Sequence, residues 1–476
     1  MKRVLLAAGA LLVGFAASAR TFEMTLWRGE TAAELLGGCY TLGADPAPLK
    51  VRVGTVRSVR YAPEPMGLQR RETLDRVVWD AKGELPRDGV TGGADRVVEV
   101  SVPADARPGV YTCGDLEITV LDRVLPPPKE WKYYLDLWQH PWASARVAGV
   151  KPFSPEHYAA MRPVYELLAS AGQKTITVPI VDLPWDHQCY DAYHSLVEDE
   201  DFRLFDEYVE FCESCGLGPD ISCYSLCPWA LKLNPGTPEF EAYWKEFLER
   251  FAKHLREKGW YGRTLMAMDE REPEQVKAVV DFVHRYAPGL RIAMAGNRRP
   301  SEFEGIEIDN YCQLLTHVDD AFLAEAAARR RRGLVTTFYV CCSPTYPNTF
   351  MTSGPGEAFW LGAYPGVSGL DGFLRWAWNS WPQDPCADAS FWWWAAGDTF
   401  LCYPGGEPSW RFLDLRNGVV AAEKLRILSA DPAFAPELEG LRKLFDVSEA
   451  VAGRSDYRGI RRAVQAAVNP VRPDAR

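Results

Sequence analysis

Two adjacent carboxylates, Asp269 and Glu270, follow directly on the apolar run 264–268. An uninterrupted apolar run is typical of a strand in a parallel sheet that is covered on both faces. Alternation along this strand would place Asp269 on the same face as Leu265 and Ala267. Glu270 would reach the same cleft only if the strand ends there, as the polar residues 271–273 indicate. Two acids in one cleft can together cleave a glycosidic bond.

Because the two acids are adjacent in sequence, they favour one type of glycosidase mechanism over the others. In an ordinary glycosidase the two carboxyl groups flank the scissile bond, about 5 Å apart for retention and about 6.5–9.5 Å apart for inversion. Neighbouring residues rarely face each other across a sugar, but they suit a mechanism in which the substrate supplies the nucleophile. There a 2-acetamido carbonyl attacks the anomeric carbon, one carboxylate orients the acetamido N–H, and the other protonates the leaving oxygen. The pair therefore favours a 2-acetamido sugar as substrate.

The elements that must position these acids show an α/β pattern. Eight apolar runs alternate with mostly helix-like amphipathic segments, which predicts a (β/α)8 TIM-like barrel with its chemistry at the carboxyl ends of the strands. The predicted strands are 133–138, 175–181, 220–224, 264–268, 291–295, 308–315, 334–340 and 372–378. The predicted helices are 155–170, 202–215, 240–258, 273–286, 320–331 and 413–429. Between the fifth and sixth strands there is room for only a turn of helix.

Further segments flank the barrel, which is expected over residues 126–430. Short alternating runs with intervening turns predict a small antiparallel β-sandwich over residues 20–125. Three prolines at 126–128 indicate a stiff linker after it. A C-terminal extension is expected over 431–476, with helices at 436–451 and 456–468 and a polar, disordered tail.

Residues 1–19 have the pattern of a secretory signal peptide. Lys2 and Arg3 precede the apolar stretch 4–17, and Ala17-Ser18-Ala19 is a small-residue cleavage site. We therefore expect a secreted or periplasmic protein, with an uncleaved N-terminal anchor as the alternative. No later run approaches the roughly 20 apolar residues that a membrane span requires.

The composition bears on partners and cofactors. The formal net charge of −11 would repel a phosphate backbone, so nucleic acid is not an expected partner. The 17 Trp residues suit a sugar-binding cleft, because a flat apolar ring stacks on a pyranose face, although Trp also fills large cores. Four cysteines allow a zinc site, but their helix and strand-end contexts favour core or free thiols: Cys212, Cys215, Cys223 and Cys227. No cofactor or metal is predicted.

Several runs resemble glycoside hydrolase family 123. They are 135–142 (LDLWQHPW), 149–154 (GVKPFS), 182–191 (DLPWDHQCYD) and 267–271 (AMDER), while 372–381 and 397–405 resemble the family's C-terminal barrel region. The family contains exo-acting β-N-acetylgalactosaminidases with a β-sandwich ahead of the barrel. The resemblance implies a retaining, substrate-assisted enzyme that releases terminal β-linked N-acetylgalactosamine from glycans or glycolipids. It also implies that Asp269 orients the acetamide and that Glu270 is the general acid/base.

Further substrate-binding candidates lie in or near the predicted strand ends. They are Trp138, His140, Trp185, His187, Gln188, Tyr224, Asn310, Tyr339, Arg375, Trp376 and Trp378. The Trp rings would enclose the acetamido methyl group and stack on the sugar. Tyr339 and Tyr224 compete to donate to the acetamido carbonyl, and Tyr339 is favoured. Each of these residues has a structural alternative, since a strand-end Trp packs against loops about as often as it touches a ligand.

Two other functions fit the same pattern. A β-hexosaminidase that accepts N-acetylglucosamine differs only in how it reads the 4-hydroxyl, and no residue visibly does so. A non-catalytic carbohydrate-binding barrel has the same fold, but such a protein has no need of a general acid, so the acid pair argues against it. No pattern in the sequence indicates an oligomeric state.

Overall fold

The computed structural model describes residues 21–43, 45–80, 90–92, 95–185, 189–230, 233–303 and 305–470. The predicted signal peptide and residues 471–476 of the predicted tail lie outside these ranges. So do two of the substrate-binding candidates, His187 and Gln188.

The described part of the N-terminal region consists of short strands. They are β1 Phe22–Arg28, β2 Thr31–Leu35, β3 Cys39–Thr41, β4 Lys50–Tyr61, β5 Arg71–Trp79, β6 Val90–Gly92, β7 Arg96–Ser101, β8 Gly109–Cys113 and β9 Leu116–Val124. Strands β2, β7, β4 and β5 form an antiparallel sheet, β1, β9 and β8 form a second sheet, and β3 pairs with β6. The antiparallel character is confirmed except between β1 and β9, which run parallel.

Eight parallel strands form the central sheet, at the positions predicted. They are β10 Tyr134–Leu137, β11 Thr175–Pro179, β12 Asp220–Tyr224, β13 Thr264–Asp269, β14 Arg291–Gly296, β15 Asn310–Leu314, β16 Val335–Tyr339 and β17 Gly372–Arg375. They are ordered β10-β17-β16-β15-β14-β13-β12-β11. The two strands at the ends of this order are β10 and β11. They are linked by a hydrogen bond from the backbone N–H of Lys174, just before β11, to the Leu135 carbonyl of β10 over 2.8 Å. The barrel is therefore nearly closed, which confirms the predicted fold.

Helices connect these strands. They are α1 Pro141–Ala148, α2 Pro155–Ala169, α3 Arg203–Ser214, α4 Pro238–Glu257, α5 Pro273–Tyr286, α6 Asp320–Arg331, α7 Glu357–Ser368 and α8 Trp410–Leu428, with a short antiparallel pair, β18 Cys402–Tyr403 and β19 Glu407–Pro408, ahead of α8. In the described residues between β14 and β15, the connection holds the 3-10 turn Pro300–Glu302 and no α-helix, as predicted. Ser154 caps α2, since its hydroxyl accepts from the N–H of His157.

Helix α7 is absent from the sequence prediction. Nearly all of its residues are buried and it contains Pro365, so it lacks the polar face on which a helix prediction depends. It packs closely on α8, where a side chain at Gly362 would begin 2.4 Å from the carbonyl oxygen of Leu415. A side chain at Gly418 would similarly begin 2.3 Å from the carbonyl oxygen of Phe359. The two glycines are therefore required for this helix contact.

The C-terminal extension is helical, as predicted, but the segment predicted as its first helix is interrupted. The segment 436–451 forms two helices, α9 Ala435–Arg442 and α10 Val447–Val451, and α11 Tyr457–Val468 follows. The break occurs because the Asp446 carboxylate accepts from the N–H groups of Ser448 and Glu449 and so begins a new helix.

Buried charge pairs join the N-terminal sheets to α8. The Arg411 guanidinium donates to both carboxylate oxygens of Asp75, over 2.8 and 3.0 Å. Arg416 pairs with Glu99, and Lys424 pairs with Glu30. Removing one member of a buried pair leaves an uncompensated charge, so loss of either partner should be destabilising.

Among the cysteines whose side chains the structure describes, eleven are free thiols, and the four considered for a zinc site are buried. Within the described ranges no cluster of three or more potential metal ligands occurs. In that same part of the chain, no helix combines the length and the apolar character that crossing a membrane requires.

Candidate active site

Asp269 is the last residue of β13 and is partly buried at the carboxyl end of the barrel. The indole N–H of Trp229 donates to its Oδ2 over 2.9 Å. Burial raises the pKa of Asp269 to about 7, and the negative charge of Glu270 adds to the rise. The Trp229 hydrogen bond and the positive charge of Arg271 oppose it. Asp269 is thus a carboxyl group whose protonation changes near neutral pH, as is common in active sites.

Glu270 ends the strand by leaving the extended conformation. Its φ of 45° lies in the left-handed region, which is uncommon for a residue with a side chain and costs about 1 kcal/mol or more. Its N–H still donates to the Ala295 carbonyl of β14 over 2.7 Å. The turn brings the carboxylate to Tyr339, whose hydroxyl donates to Oε1 over 2.5 Å, while Asn297 Nδ2 lies 3.4 Å from Oε2. The expectation that the strand ends at the acid pair is confirmed.

Aromatic rings pack together beside Asp269. Trp138 follows β10 and stacks on Trp185 with ring centres 5.1 Å apart, and both contact Tyr224 at the end of β12, at 4.6 and 5.2 Å. The charge of Asp269 contributes to the raised pKa of Tyr224, after burial, which places that ring close to the acid. The structure therefore brings these three predicted candidates together as a buried wall near Asp269.

His140 extends this wall toward β17. Its ring centre lies 6.4 Å from that of Trp185 and 6.3 Å from that of Trp376. Burial lowers the pKa of His140 to about 3, so the imidazole is neutral. Nδ1 lies 3.1 Å from the Trp138 carbonyl oxygen, which assigns the single ring proton to Nδ1. The buried Nε2 has no hydrogen-bond partner among the described residues.

A comparison of the sequence with a protein-family model gives independent information on the region that holds the acid pair. A family model for the glycoside hydrolase 123 catalytic domain matches residues 138–428, which is more than half of the chain. The chain belongs to glycoside hydrolase family 123. The matched region includes both acids and the whole aromatic wall.

Solved structures give a second comparison for this family 123 hydrolase. A family 123 glycoside hydrolase from Clostridium perfringens, described for glycolipid glycan hydrolysis, is 21% identical, and the alignment covers 94% of each chain with a TM-score of 0.78. At 21% identity this similarity shows the fold alone. The fold includes both the N-terminal sheets and the barrel, because the alignment covers 94% of each chain. An endoglucanase from Pseudomonas stutzeri is 13% identical over 54% of this chain and 84% of its own, with a TM-score of 0.32. No curated protein matches the sequence.

Three of the predicted substrate-binding residues are not among the residues that contact the acid pair or form the aromatic wall. Arg375 is fully buried and ion-paired with Asp398, donating to its Oδ1 over 2.6 Å. Trp378 is also fully buried, with its ring 4.7 Å from Phe412 of α8. Asn310 is the first residue of β15 and pairs with Ala293 of β14, whereas Asp269 pairs with Ala295, so Asn310 lies two residues further from the carboxyl end of the barrel. For these three residues the structure favours a role in the fold.

Sequence reasoning missed two residues that contact the acid pair and a third that contacts one of those two. Trp229 and Asn297 donate to Asp269 and Glu270 respectively, and both lie a few residues beyond a strand end, a position that could have revealed them. Arg271 lies over the Trp229 ring, 4.5 Å from its centre, and its Nε donates to the Cys227 carbonyl over 3.0 Å. The side chain of Arg271 is thereby fixed beside the two acids it follows in sequence.

A third carboxyl group lies inside the barrel. Asp136 of β10 is 5% exposed, and the Thr175 hydroxyl donates to it. Burial raises the pKa of Asp136 to about 7, against the effect of that hydrogen bond. Its charge also adds to the raised pKa of Tyr224, after burial.

Proposed function

We propose that this family 123 hydrolase is an exo-acting, retaining β-N-acetylgalactosaminidase that uses the 2-acetamido group of its substrate as the nucleophile. The observation that carries the proposal is the pairing of Asp269 with Glu270 at one strand end, each with its own hydrogen-bond donor. Two adjacent acids rarely flank a glycosidic bond as nucleophile and acid. They can serve the acetamido group and the leaving oxygen, which lie on neighbouring parts of one sugar.

The two acids divide the reaction between them. The acetamido carbonyl oxygen attacks the anomeric carbon as the bond to the leaving oxygen breaks, and Glu270 gives its proton to that oxygen. Asp269 accepts the acetamido N–H and stabilises the positive charge of the oxazoline-type ring. Glu270 then removes a proton from a water molecule, which attacks the anomeric carbon and reopens the ring. Two inversions at this carbon leave the product with the starting configuration.

Tyr339 has two possible partners in this scheme. Its hydroxyl donates to Glu270, and it carries a single proton to donate. The predicted bond from Tyr339 to the acetamido carbonyl would require the hydroxyl to turn away from Glu270 when substrate binds. The aromatic wall of Trp138, Trp185 and Tyr224 is buried, with each residue no more than 2% exposed, so it supports the proposal only by surrounding the site with apolar groups.

The source of the substrate belongs to the same proposal. The Clostridium perfringens relative is described for glycolipid glycan hydrolysis, which supports terminal N-acetylgalactosamine on glycans or glycolipids as the target here. The signal-like residues 1–19 support a secreted or periplasmic location, where such glycans are met.

The test compares three aryl β-glycosides, those of N-acetylgalactosamine, N-acetylglucosamine and galactose. We expect hydrolysis of the first, at least tenfold weaker hydrolysis of the second, and none of the galactoside, which has no acetamide. Equal cleavage of the galactoside would sink the substrate-assisted mechanism. Equal cleavage of both acetamido sugars would instead favour the β-hexosaminidase, and binding without cleavage would favour the carbohydrate-binding protein. Proton NMR of the first-formed product tests retention.

A further inference from the structure

We propose that Trp229 is a positioning residue, which holds one carboxylate oxygen of Asp269 so that the other is free to take the substrate's acetamido N–H. This inference rests on the proposed function. It assigns a role in the reaction to a residue of the loop after β12 that contributes no acid or base of its own.

The hydrogen bond divides the two oxygens of Asp269. Trp229 Nε1 donates to Oδ2 over 2.9 Å, whereas no described residue donates to Oδ1. An indole is a donor only, so it cannot rotate to accept a proton from Asp269 or from the substrate. Asp269 therefore keeps one orientation, with Oδ1 as the oxygen available to a ligand.

The indole is itself held in place from two sides. The guanidinium carbon of Arg271 lies 4.5 Å from the ring centre, and Arg271 is anchored by its bond to the Cys227 carbonyl. The backbone N–H of Trp229 donates to the Pro184 carbonyl of the loop after β11 over 2.9 Å. With the ring fixed, the hydrogen bond to Asp269 is organised before substrate arrives, which is how a preorganised site avoids reorganisation during the reaction.

Trp229 is also open to a ligand. Its side chain is 38% exposed, whereas Trp138, Trp185 and Trp376 are each no more than 8% exposed. The buried rings can form a wall, but Trp229 has free ring surface next to the reacting acid. That surface is available to the sugar once the acetamide is bound to Oδ1.

The hydrogen bond from Trp229 lowers the pKa of Asp269. The ionisable groups that face Asp269 are Glu270, Arg271, Tyr224, Cys312 and Tyr339. Burial raises the pKa of Tyr224, Cys312 and Tyr339 well above neutral, so these three carry no charge near pH 7. The charges of Glu270 and Arg271 oppose each other, and the indole hydrogen bond favours the carboxylate form. Loss of the indole N–H would raise the pKa of Asp269 and leave less of the carboxylate at neutral pH.

The decisive variant is Trp229→Phe, which keeps an aromatic ring beside Arg271 but removes the indole N–H together with part of the fused ring. We expect kcat/KM for the aryl N-acetylgalactosaminide to fall about tenfold at pH 7, as the loss of a hydrogen bond to a charged group implies. The acid limb of the kcat/KM profile should move to higher pH, with partial recovery of rate above it, while Tm changes little. The control is Trp392→Phe, since Trp392 is similarly exposed, at 42%. An unmoved acid limb in Trp229→Phe would overturn the inference.

A second measurement does not depend on activity. With 15N-labelled tryptophan, the indole N–H signal of Trp229 is identified by its loss in Trp229→Phe, and its shift should follow the titration of Asp269. In Asp269→Asn that pH dependence should disappear. An indole signal that does not respond to pH shows that the inference is wrong, even if the enzyme cleaves its substrate. Failure of the wild type to discriminate between galactoside and acetamido substrate would instead refute the proposed function, and the indole titration would stand.

Discussion

Tyr339 donates its hydroxyl to Oε1 of Glu270 over 2.5 Å, from β16 to the residue after β13. The two strands are three places apart in the barrel. Burial and the charge of Glu270 raise the pKa of Tyr339 well above its ordinary value, so the phenol keeps its proton over the working pH range. Tyr339 therefore keeps its proton and can donate it in a hydrogen bond to Glu270, the proposed general acid.

Tyr339→Phe should slow the reaction without unfolding the enzyme. Because Glu270 is neutral when it acts as the acid, this bond has the ordinary net value of about 0.5–1.5 kcal/mol, so kcat/KM should fall roughly 2- to 10-fold. The matched control is Tyr243→Phe on α4, since Tyr243 is 65% exposed and should be silent. Steady-state kinetics on the aryl N-acetylgalactosaminide measure both variants, and wild-type rates in Tyr339→Phe would show that the contact with Glu270 plays no part in catalysis.

Glu270→Gln should nearly abolish turnover of natural glycans while binding is preserved. Glutamine has no proton to give to the leaving oxygen, and general acid catalysis contributes about 10²- to 10⁴-fold. The loss should be smaller for a dinitrophenyl glycoside, whose leaving group needs no proton. Glu272→Gln, at the next acid along the loop and exposed in its pair with Arg298, serves as the control. An equal loss on both substrates would count against Glu270 as the acid.

Asp136→Asn should stabilise the protein at high pH. Because burial raises the folded-state pKa of Asp136 to about 7, the folded protein keeps a proton that the unfolded chain releases near pH 4. The contribution of Asp136 to the free energy of unfolding is therefore most favourable below pH 4. It is lost as the pH rises toward and through 7, because the folded protein must then bury a charged carboxylate or keep a proton that the unfolded chain has released. Each unit of pKa difference is worth about 1.4 kcal/mol, so the variant should gain a few kcal/mol at pH 8. Urea unfolding at pH 4 and pH 8 measures this, and an equal effect at both pH values would contradict it.

Asp398→Asn should destabilise the fold. Arg375 and Asp398 are both fully buried, so the variant leaves a guanidinium without its counter-charge. Breaking such a pair costs about 3–5 kcal/mol. The comparison is Glu166→Gln in the exposed Arg162–Glu166 pair, where we expect a change within about 1 kcal/mol. Equal free energies of unfolding for the two variants would show that the buried pair has no special weight.

Much of the fold could be predicted because its signals are local. The apolar run of β13, the polar residues after it and the cap at Ser154 are each readable within a few positions, and the structure places them as expected. Helix α7 was missed because burial on all sides removes the periodicity that marks an amphipathic helix. The pairing of Arg375 could not be predicted, because a buried ion pair and a substrate-binding arginine look the same in sequence, and only the position of Asp398 reveals the pair.

The sequence by itself determined the barrel, the placement of Asp269 and Glu270 at the end of its fourth strand, and their adjacency. Only the tertiary structure decided which side chains meet these acids. Trp229 is 40 residues from Asp269, and Tyr339 is 69 residues from Glu270. Closing the sheet brings the ends of β12, β13 and β16 to one rim, and no pattern of neighbouring residues encodes which donors that closure presents to each carboxylate.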